Sequence, residues 1–146
     1  DRLLMRIGAL KGGGVVCPNG NAMKAQDNFM EHVAAAKRIY GASCINVDGY
    51  QEMISNALDN GAEVELILAP EVLTTMDPGI IEAWQASGRF RLHVRKVKAA
   101  FAVADDMLFL ALFDPAGIID ALSEWVCQSE RAAEWGRELF EYYLEK

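Results

Sequence analysis

One stretch of the chain, Val97–Phe113, is apolar almost throughout and limits what the rest can fold into. Only Lys98 and the pair Asp105-Asp106 interrupt it, and its aromatic and branched residues suit strands. Apolar runs of this length, bounded by a turn signal, are typical of strands covered on both faces. The two runs joined by Asp105-Asp106 therefore predict a central antiparallel hairpin on which the other elements pack.

Composition narrows the class of protein further. The chain has 146 residues, of which 52% are hydrophobic, so we expect one globular domain with a substantial core. Its net charge of -7 argues against nucleic-acid binding by this segment and against docking on an anionic membrane. No apolar run approaches the ~20 residues that a membrane-spanning helix needs.

The three cysteines, Cys17, Cys44 and Cys127, are far apart and form no Cys-x-x-Cys pair. This spacing predicts neither a disulfide framework nor a zinc site, and we expect free thiols, no cofactor and a cytoplasmic location. The chain starts at Asp1 without an initiator methionine, so we expect a piece of a longer protein.

The glycine triplet at 12–14 invites comparison with a phosphate-binding loop. Such a loop requires Gly-Lys-Ser/Thr at its end, whereas Gly20 is followed by Asn21. We therefore interpret residues 1–20 as a connector or a short element of an upstream domain, and residues 21–146 as one α/β domain.

Within that domain, helical and strand patterns alternate. Asp48, Asp77 before Pro78, and Ser129 are predicted to cap helix starts, and Gly61 and Gly88 to end helices. A strand–helix–strand order places the two strands parallel. We expect a three-layer α/β fold with a mixed, largely parallel central sheet. The predicted elements are helix 21–37, strand 40–47, helix 48–60, strand 63–68, a helical turn 70–76, helix 77–88, strand 90–94, the hairpin, a short strand or irregular cover 118–126, and helix 129–145.

Two further features have open interpretations. The basic run Arg89–Lys98 is either a solvated strand face or an anion-binding surface. Gly136 lies in the middle of an aromatic helix, where glycine costs up to ~1 kcal/mol, so we expect close packing there against the sheet or a neighbouring subunit.

Four segments of the chain have a distinctive composition: 35–39, 57–68, 101–113 and 133–143, the last containing Trp-Gly-x-Glu-Leu-Phe. In these segments the chain resembles the sensor domain of archaeal winged-helix regulators of the methanogenesis-regulator type, and the resemblance runs from about Phe29 to the C-terminus. It implies a phospholipase D-like fold and a regulator whose DNA contacts come only from an N-terminal winged-helix domain that is absent here.

The phospholipase D family carries the catalytic pattern His-x-Lys, four residues, then Asp. With Asp105 as the acid, Lys98 takes the place of the nucleophilic histidine and Ala100 that of the lysine. An ammonium cannot replace the imidazole, and alanine cannot hold a phosphate. The resemblance thus implies a scaffold without the reaction, and we expect no enzyme activity.

We accordingly expect an effector-sensing and dimerising domain of a transcription regulator. Ligands of α/β sheets bind beyond the carboxyl ends of parallel strands, so we expect a small, anionic effector there, in a homodimer. Trp84 and Trp135 are either walls of that site or, the more favoured alternative, core. The candidate ligand-binding residues are Tyr50, Arg95, Lys98, Asp48, Glu71 and Asp105.

The alternative is a divergent hydrolase of phospholipase D-like fold, with Asp105 and Asp106 on a metal or Cys44 as nucleophile. Adjacent residues of a strand point to opposite faces, which disfavours a shared ion for the two acids. With only His32 and His93 in the chain, there is little material for acid–base chemistry.

Overall fold

The computed structural model describes residues 13–16, 31, 33–45, 50–113 and 119–145. Seven strands and four helices lie in these ranges, and residues 33–35 are also helical. The strands are β1 Gly13–Val16, β2 Arg38–Ser43, β3 Glu63–Leu68, β4 Phe90–Val94, β5 Ala100–Ala104, β6 Met107–Phe113 and β7 Ile119–Gln128. The helices are α1 Tyr50–Asp59, α2 Pro70–Leu73, α3 Pro78–Ala86 and α4 Glu130–Leu144.

All seven strands form one sheet in the order β1-β7-β6-β5-β2-β3-β4. Strands β2, β3 and β4 are parallel, because helices connect them in sequence. The other four pairings are antiparallel. The predicted mixed sheet is confirmed. Its parallel part comprises β2, β3 and β4, and β1 and β7 extend the antiparallel part.

Two apolar clusters cover the two faces of the sheet. Helices α1 to α3 pack on one face, around Ile54 and Leu66, and α4 packs on the other, around Trp135 and Phe140. Strand β3 contributes to both clusters, since Leu66 faces one and Ile67 the other. This is the predicted three-layer arrangement. The core role favoured for the two tryptophans is also confirmed, since Trp84 and Trp135 are almost fully buried.

The central hairpin predicted from the apolar stretch is confirmed as β5 and β6. Its turn places Asp105 in the left-handed region, at φ 53°. That carboxylate accepts the backbone N–H of Lys37 at 3.1 Å and of Arg38 at 3.0 Å. The turn is therefore fastened to the beginning of β2, the strand on the other side of β5.

Short-range signals set the helix ends. Asp77 Oδ1 accepts the N–H of Gly79 at 2.9 Å, and Ser129 Oγ accepts that of Ala132 at 3.0 Å, as predicted. Gly61 and Gly88 follow α1 and α3 with positive φ, which glycine adopts without strain. The predicted cap Asp48 lies outside the described residues.

Three segments differ from expectation. Gly13–Val16, interpreted as part of a connector or of a short element of an upstream domain, pairs with β7 as an edge strand. Strand β2 begins and ends earlier than predicted. Of the two alternatives for residues 118–126, the structure shows the strand: β7 is longer than expected, at ten residues, and has a register irregularity opposite Ala111 and Leu112. Most of the predicted helix 21–37 lies outside the described residues.

Gly136 explains the close approach of α4 to the sheet. A Cβ at this position would overlap Val103 Cγ2 and lie 2.9 Å from Leu108 Cδ1. Of the two packing partners considered for this glycine, the structure shows the sheet.

Candidate functional site at the carboxyl edge

The parallel strands end together at one edge of the sheet, which we call the carboxyl edge. Here β2 ends at Ser43, β3 at Leu68 and β4 at Val94. Backbone bonds continue past these ends: the N–H of Ala69 reaches Ser43 O at 3.1 Å, and that of Arg95 reaches Leu68 O at 3.2 Å. These hydrogen bonds hold the backbone from which the side chains after the strands project.

Three predicted ligand-binding residues lie at this edge. Glu71 is exposed in the first turn of α2, and Arg95 and Lys98 lie in the connection from β4 to β5. Val97 is buried between them and anchors this connection to the α4 side of the core. Lys96 and Lys98 are exposed on either side of it. The structure thus brings one carboxylate and three cationic side chains to the carboxyl edge.

Arg95 also holds the end of α4. Its Nε donates to Leu144 O at 3.1 Å, and another guanidinium nitrogen donates to Val94 O at 2.8 Å. The last turn of α4 has no basic residue of its own, so Arg95 supplies the positive charge that stabilises a helix C-terminus. A helix-capping role is therefore visible for Arg95, and a ligand-binding role stays a prediction.

Two more predicted residues are only partly located. Tyr50 is the first residue of α1, and the chain reaches α1 from the end of β2, so its backbone lies toward the same edge. Its side chain and the whole of Asp48 lie outside the described residues.

Asp105 lies at the opposite edge. It follows Ala104, which pairs with Ile39 at the beginning of β2, whereas Ala100 pairs with Ser43 at the end of β2. A strand advances about 3.4 Å per residue, so Asp105 and Ala100 are about 17 Å apart. Asp105 cannot share a site with Lys98, and its carboxylate is occupied by two backbone N–H groups. Asp105 and Lys98 were grouped because both fall on positions of the phospholipase D catalytic pattern.

Cys44, the nucleophile of the alternative hypothesis, is a half-buried thiol at the end of β2. Burial raises its pKa above the ordinary value; a backbone hydrogen bond within Cys44 partly offsets this, and the charge of Glu71 raises the pKa further. A raised pKa keeps the thiol protonated near neutral pH and lowers its nucleophilicity. The environment of Cys44 is therefore opposite to that of an activated cysteine.

The described residues contain no group of three or more His, Cys, Asp or Glu side chains placed to hold a metal ion. Asp105 and Asp106 do not form such a group. Nor does any helix in the described ranges have the length and apolar character needed to cross a membrane.

The basic run Arg89–Lys98 is divided by the fold. Arg95, Lys96 and Lys98 lie at the carboxyl edge, whereas Arg89 and Arg91 lie toward the other end of β4. There they join Arg38 of β2 around a groove. Sequence reasoning missed Arg38, since only the parallel register of β2, β3 and β4 brings it near Arg89 and Arg91.

Comparisons with known proteins identify the family to which this fold belongs. Residues 23–146 match the family described as the middle domain of methanogenesis regulatory protein FilR1. The chain is 31% identical over 103 residues to methanogenesis regulatory protein FilR1 of Methanothrix harundinacea strain 6Ac. That match covers 65% of this chain and 23% of the relative, so the chain spans about a quarter of the relative's length.

Solved structures show the same fold at lower identity. TrmBL2, an archaeal chromatin protein, has a TM-score of 0.74 at 19% identity, over 99% of this chain and 58% of that one. The Salmonella typhimurium phospholipase D family member Nuc has a TM-score of 0.64 at 15% identity, over 91% of this chain and 93% of that one. Helicobacter pylori NucT has a TM-score of 0.69 at 12% identity, over 91% of this chain and 95% of that one. The expected phospholipase D-like fold is confirmed, and the chain belongs to the family of the FilR1 middle domain.

Proposed function

We propose that this domain senses a small anionic metabolite for a transcription regulator and takes part in its dimerisation. Membership of the FilR1 middle-domain family supports the regulatory part. The observation that supports the ligand class is the carboxyl edge, where Arg95, Lys96 and Lys98 gather in a protein of net charge -7. Opposite charge near a site favours binding and steers an anion toward it.

Lys98 is the central residue of this proposal. It is exposed and comes directly after the buried Val97, so its backbone is fixed while its ammonium group faces solvent. Arg95 would contribute a second cation, since its guanidinium is only half-buried and binds neutral carbonyl oxygens. Glu71 and Tyr50 would then help to select among anions.

The test is a titration with inorganic phosphate, citrate and a panel of short carboxylic acids, followed by backbone NMR shifts. We expect shifts centred on residues 94–99 and 69–71, and weaker binding in Lys98→Ala and Arg95→Ala. Arg131→Ala, which removes one exposed charge at the start of α4, is the matched control. Unchanged binding in both edge variants would remove the anion site.

In this proposal the domain binds its ligand and catalyses no reaction. Support comes from Lys98 and Ala100, which occupy the positions of the histidine and lysine in the phospholipase D pattern, and from the burial of Cys44, which raises the pKa of its thiol. Bis(p-nitrophenyl) phosphate is a suitable probe of the alternative. Hydrolysis that Cys44→Ala or Asp106→Ala abolishes would favour a divergent hydrolase.

Dimerisation is tested by sedimentation of the chain over a range of concentrations. A neighbouring subunit packed on α4 was one of the two alternatives considered for Gly136. Trp135 and Phe140 are buried against this chain's own sheet, so this face of α4 is not open to a second copy. A dimer would have to use other surfaces.

A further inference from the structure

The groove at the edge opposite the carboxyl edge, which we call the amino-edge groove, has a volume of about 310 Å³. This is at the lower limit of small-molecule sites. Three parallel strands supply its polar side chains in register: Arg38 pairs with Glu63, and Tyr40, Glu65 and Arg91 form the next row. The side chains that matter are Arg38, Tyr40, Glu63, Glu65, Arg89 and Arg91.

Two of its arginines are already held in place. A guanidinium nitrogen of Arg38 donates to Glu63 Oε2 at 2.9 Å. This hydrogen bond, together with the electrostatic influence of Tyr40 and Glu63, raises the pKa of Arg38 above its ordinary value. Arg89 donates to Leu58 O at the end of α1. The charge of Arg38 is thus paired with that of Glu63, and Arg89 is held against α1.

Glu65 and Arg91 are not joined by a hydrogen bond as Arg38 and Glu63 are. Their closest charged atoms are 4.0 Å apart, and Glu65 Oε2 is 3.8 Å from His93 Nε2. Both separations exceed hydrogen-bond length. Within the described part of the chain, His93 Nε2 has no hydrogen-bond partner, and the Arg91 side chain is 80% exposed. The guanidinium of Arg91 and the carboxylate of Glu65 can therefore each form hydrogen bonds with a ligand in the groove.

We propose that the amino-edge groove binds a small zwitterion with the chemistry of a free α-amino acid. The planar guanidinium of Arg91 suits the ligand carboxylate, which it can bind through two parallel hydrogen bonds. Glu65 accepts from the ligand ammonium. Glu65 would stay without a partner, and would repel the carboxylate, if the ligand lacked an amine; Arg91 would do the same to the ammonium if the ligand lacked a carboxylate. The alternation of charges therefore selects for both groups on one molecule.

This site is independent of the proposed function, because the two lie at opposite edges of the sheet. Arg91→Ala and Glu65→Gln should leave anion binding at Lys98 unchanged. Conversely, Lys98→Ala should leave the amino-edge groove unchanged. Failure of one proposal therefore does not decide the other.

The experiment is an NMR titration of the chain with the standard α-amino acids, followed by the desamino acid and the decarboxylated amine of the tightest binder. We expect shifts at Gly88, Arg89 and Arg91, and binding of each single-charge analogue weaker by about tenfold or more. Arg91→Ala and Glu65→Gln should each weaken binding by a similar factor. Lys96→Ala, an exposed cation at the other edge, is the control and should bind normally.

Three results would overturn the proposal. One is the absence of shifts at the groove with every amino acid at millimolar concentration. Another is equal affinity for the desamino analogue, which would show that Glu65 takes no part. The last is binding that survives both Arg91→Ala and Glu65→Gln. Because Arg91 is exposed, its replacement leaves the fold intact, and a thermal unfolding curve of each variant checks this.

Discussion

The carboxylate of Asp105 accepts the backbone N–H of Arg38 at 3.0 Å, across 67 positions of sequence. The same carboxylate accepts the N–H of Lys37. A side chain that looked like part of a simple turn, and in one alignment like a catalytic acid, therefore fastens two strands at the amino edge.

Replacement of Asp105 by alanine should destabilise the domain by about 2 kcal/mol, because it removes these hydrogen bonds and places at φ 53° a residue whose side chain cannot form local hydrogen bonds. Asparagine keeps one acceptor oxygen and tolerates this backbone conformation, so Asp105→Asn should cost less. Urea unfolding of both variants measures the difference. Anion binding at the carboxyl edge should not change in either, and a selective loss of binding would show that Asp105 does reach the ligand.

Gly136→Ala should destabilise the protein although alanine is the better helix former. The added methyl group would overlap Val103 and Leu108, and overpacking of a core costs about 1–3 kcal/mol, against up to ~1 kcal/mol gained in helix propensity. Glu134→Ala, on the exposed side of α4, is the comparison. The denaturant midpoints of the two variants measure the change in stability. A Gly136→Ala variant that is more stable than the original protein would contradict the close contact.

Trp84 Nε1 donates to Ser55 Oγ at 2.8 Å, which joins α3 to α1. Ser55→Ala should cost about 1–3 kcal/mol, since the indole N–H of a nearly buried tryptophan would lose its partner. In Trp84→Phe the serine substitution should cost much less, because no N–H remains to be satisfied. A double-mutant cycle of unfolding free energies tests this, and additive effects would rule out the coupling.

Cys44 should react slowly with thiol reagents. Its pKa is raised in the folded protein, so the thiolate appears only at a pH above that of an unfolded cysteine. In that alkaline interval the folded state holds a proton that the unfolded state has lost, and stability therefore falls as pH rises. Alkylation rates at Cys44, followed by peptide mass spectrometry against pH in native and urea-unfolded protein, give the two profiles. Coincident midpoints would contradict the prediction.

The parts of the fold that sequence predicted are those set by near neighbours. The hairpin follows from two apolar runs, and the caps at Asp77 and Ser129 bond residues two and three positions away. Strand β1 was missed because Gly13 and Gly14 have low strand propensity and owe their conformation to pairing with β7. No local pattern carries that information.

In the candidate site, too, the features set by near neighbours were predicted and those set by distant contacts were not. The end of β3 and the beginning of α2 placed Glu71 at the carboxyl edge, as local rules predict. The bond from Arg95 to Leu144 O joins residues 49 positions apart, and the sequence contains no signal for it. Likewise, Arg38 approaches Arg91 only through the strand register. Side-chain partners over such separations follow from the assembled sheet.

The contact between Asp105 and Arg38 also bears on how the protein unfolds. The parallel strands β2–β4 and the antiparallel strands β1 and β5–β7 meet along a single strand pair, β2 with β5. Helix α4 crosses this join, with Gly136 on Val103 and Phe140 against Tyr40. Amide hydrogens on the two sides should therefore exchange through one shared opening, with similar free energies. The hydrogen bonds from the Asp105 turn to β2 should therefore contribute to the cooperative unfolding of the whole sheet.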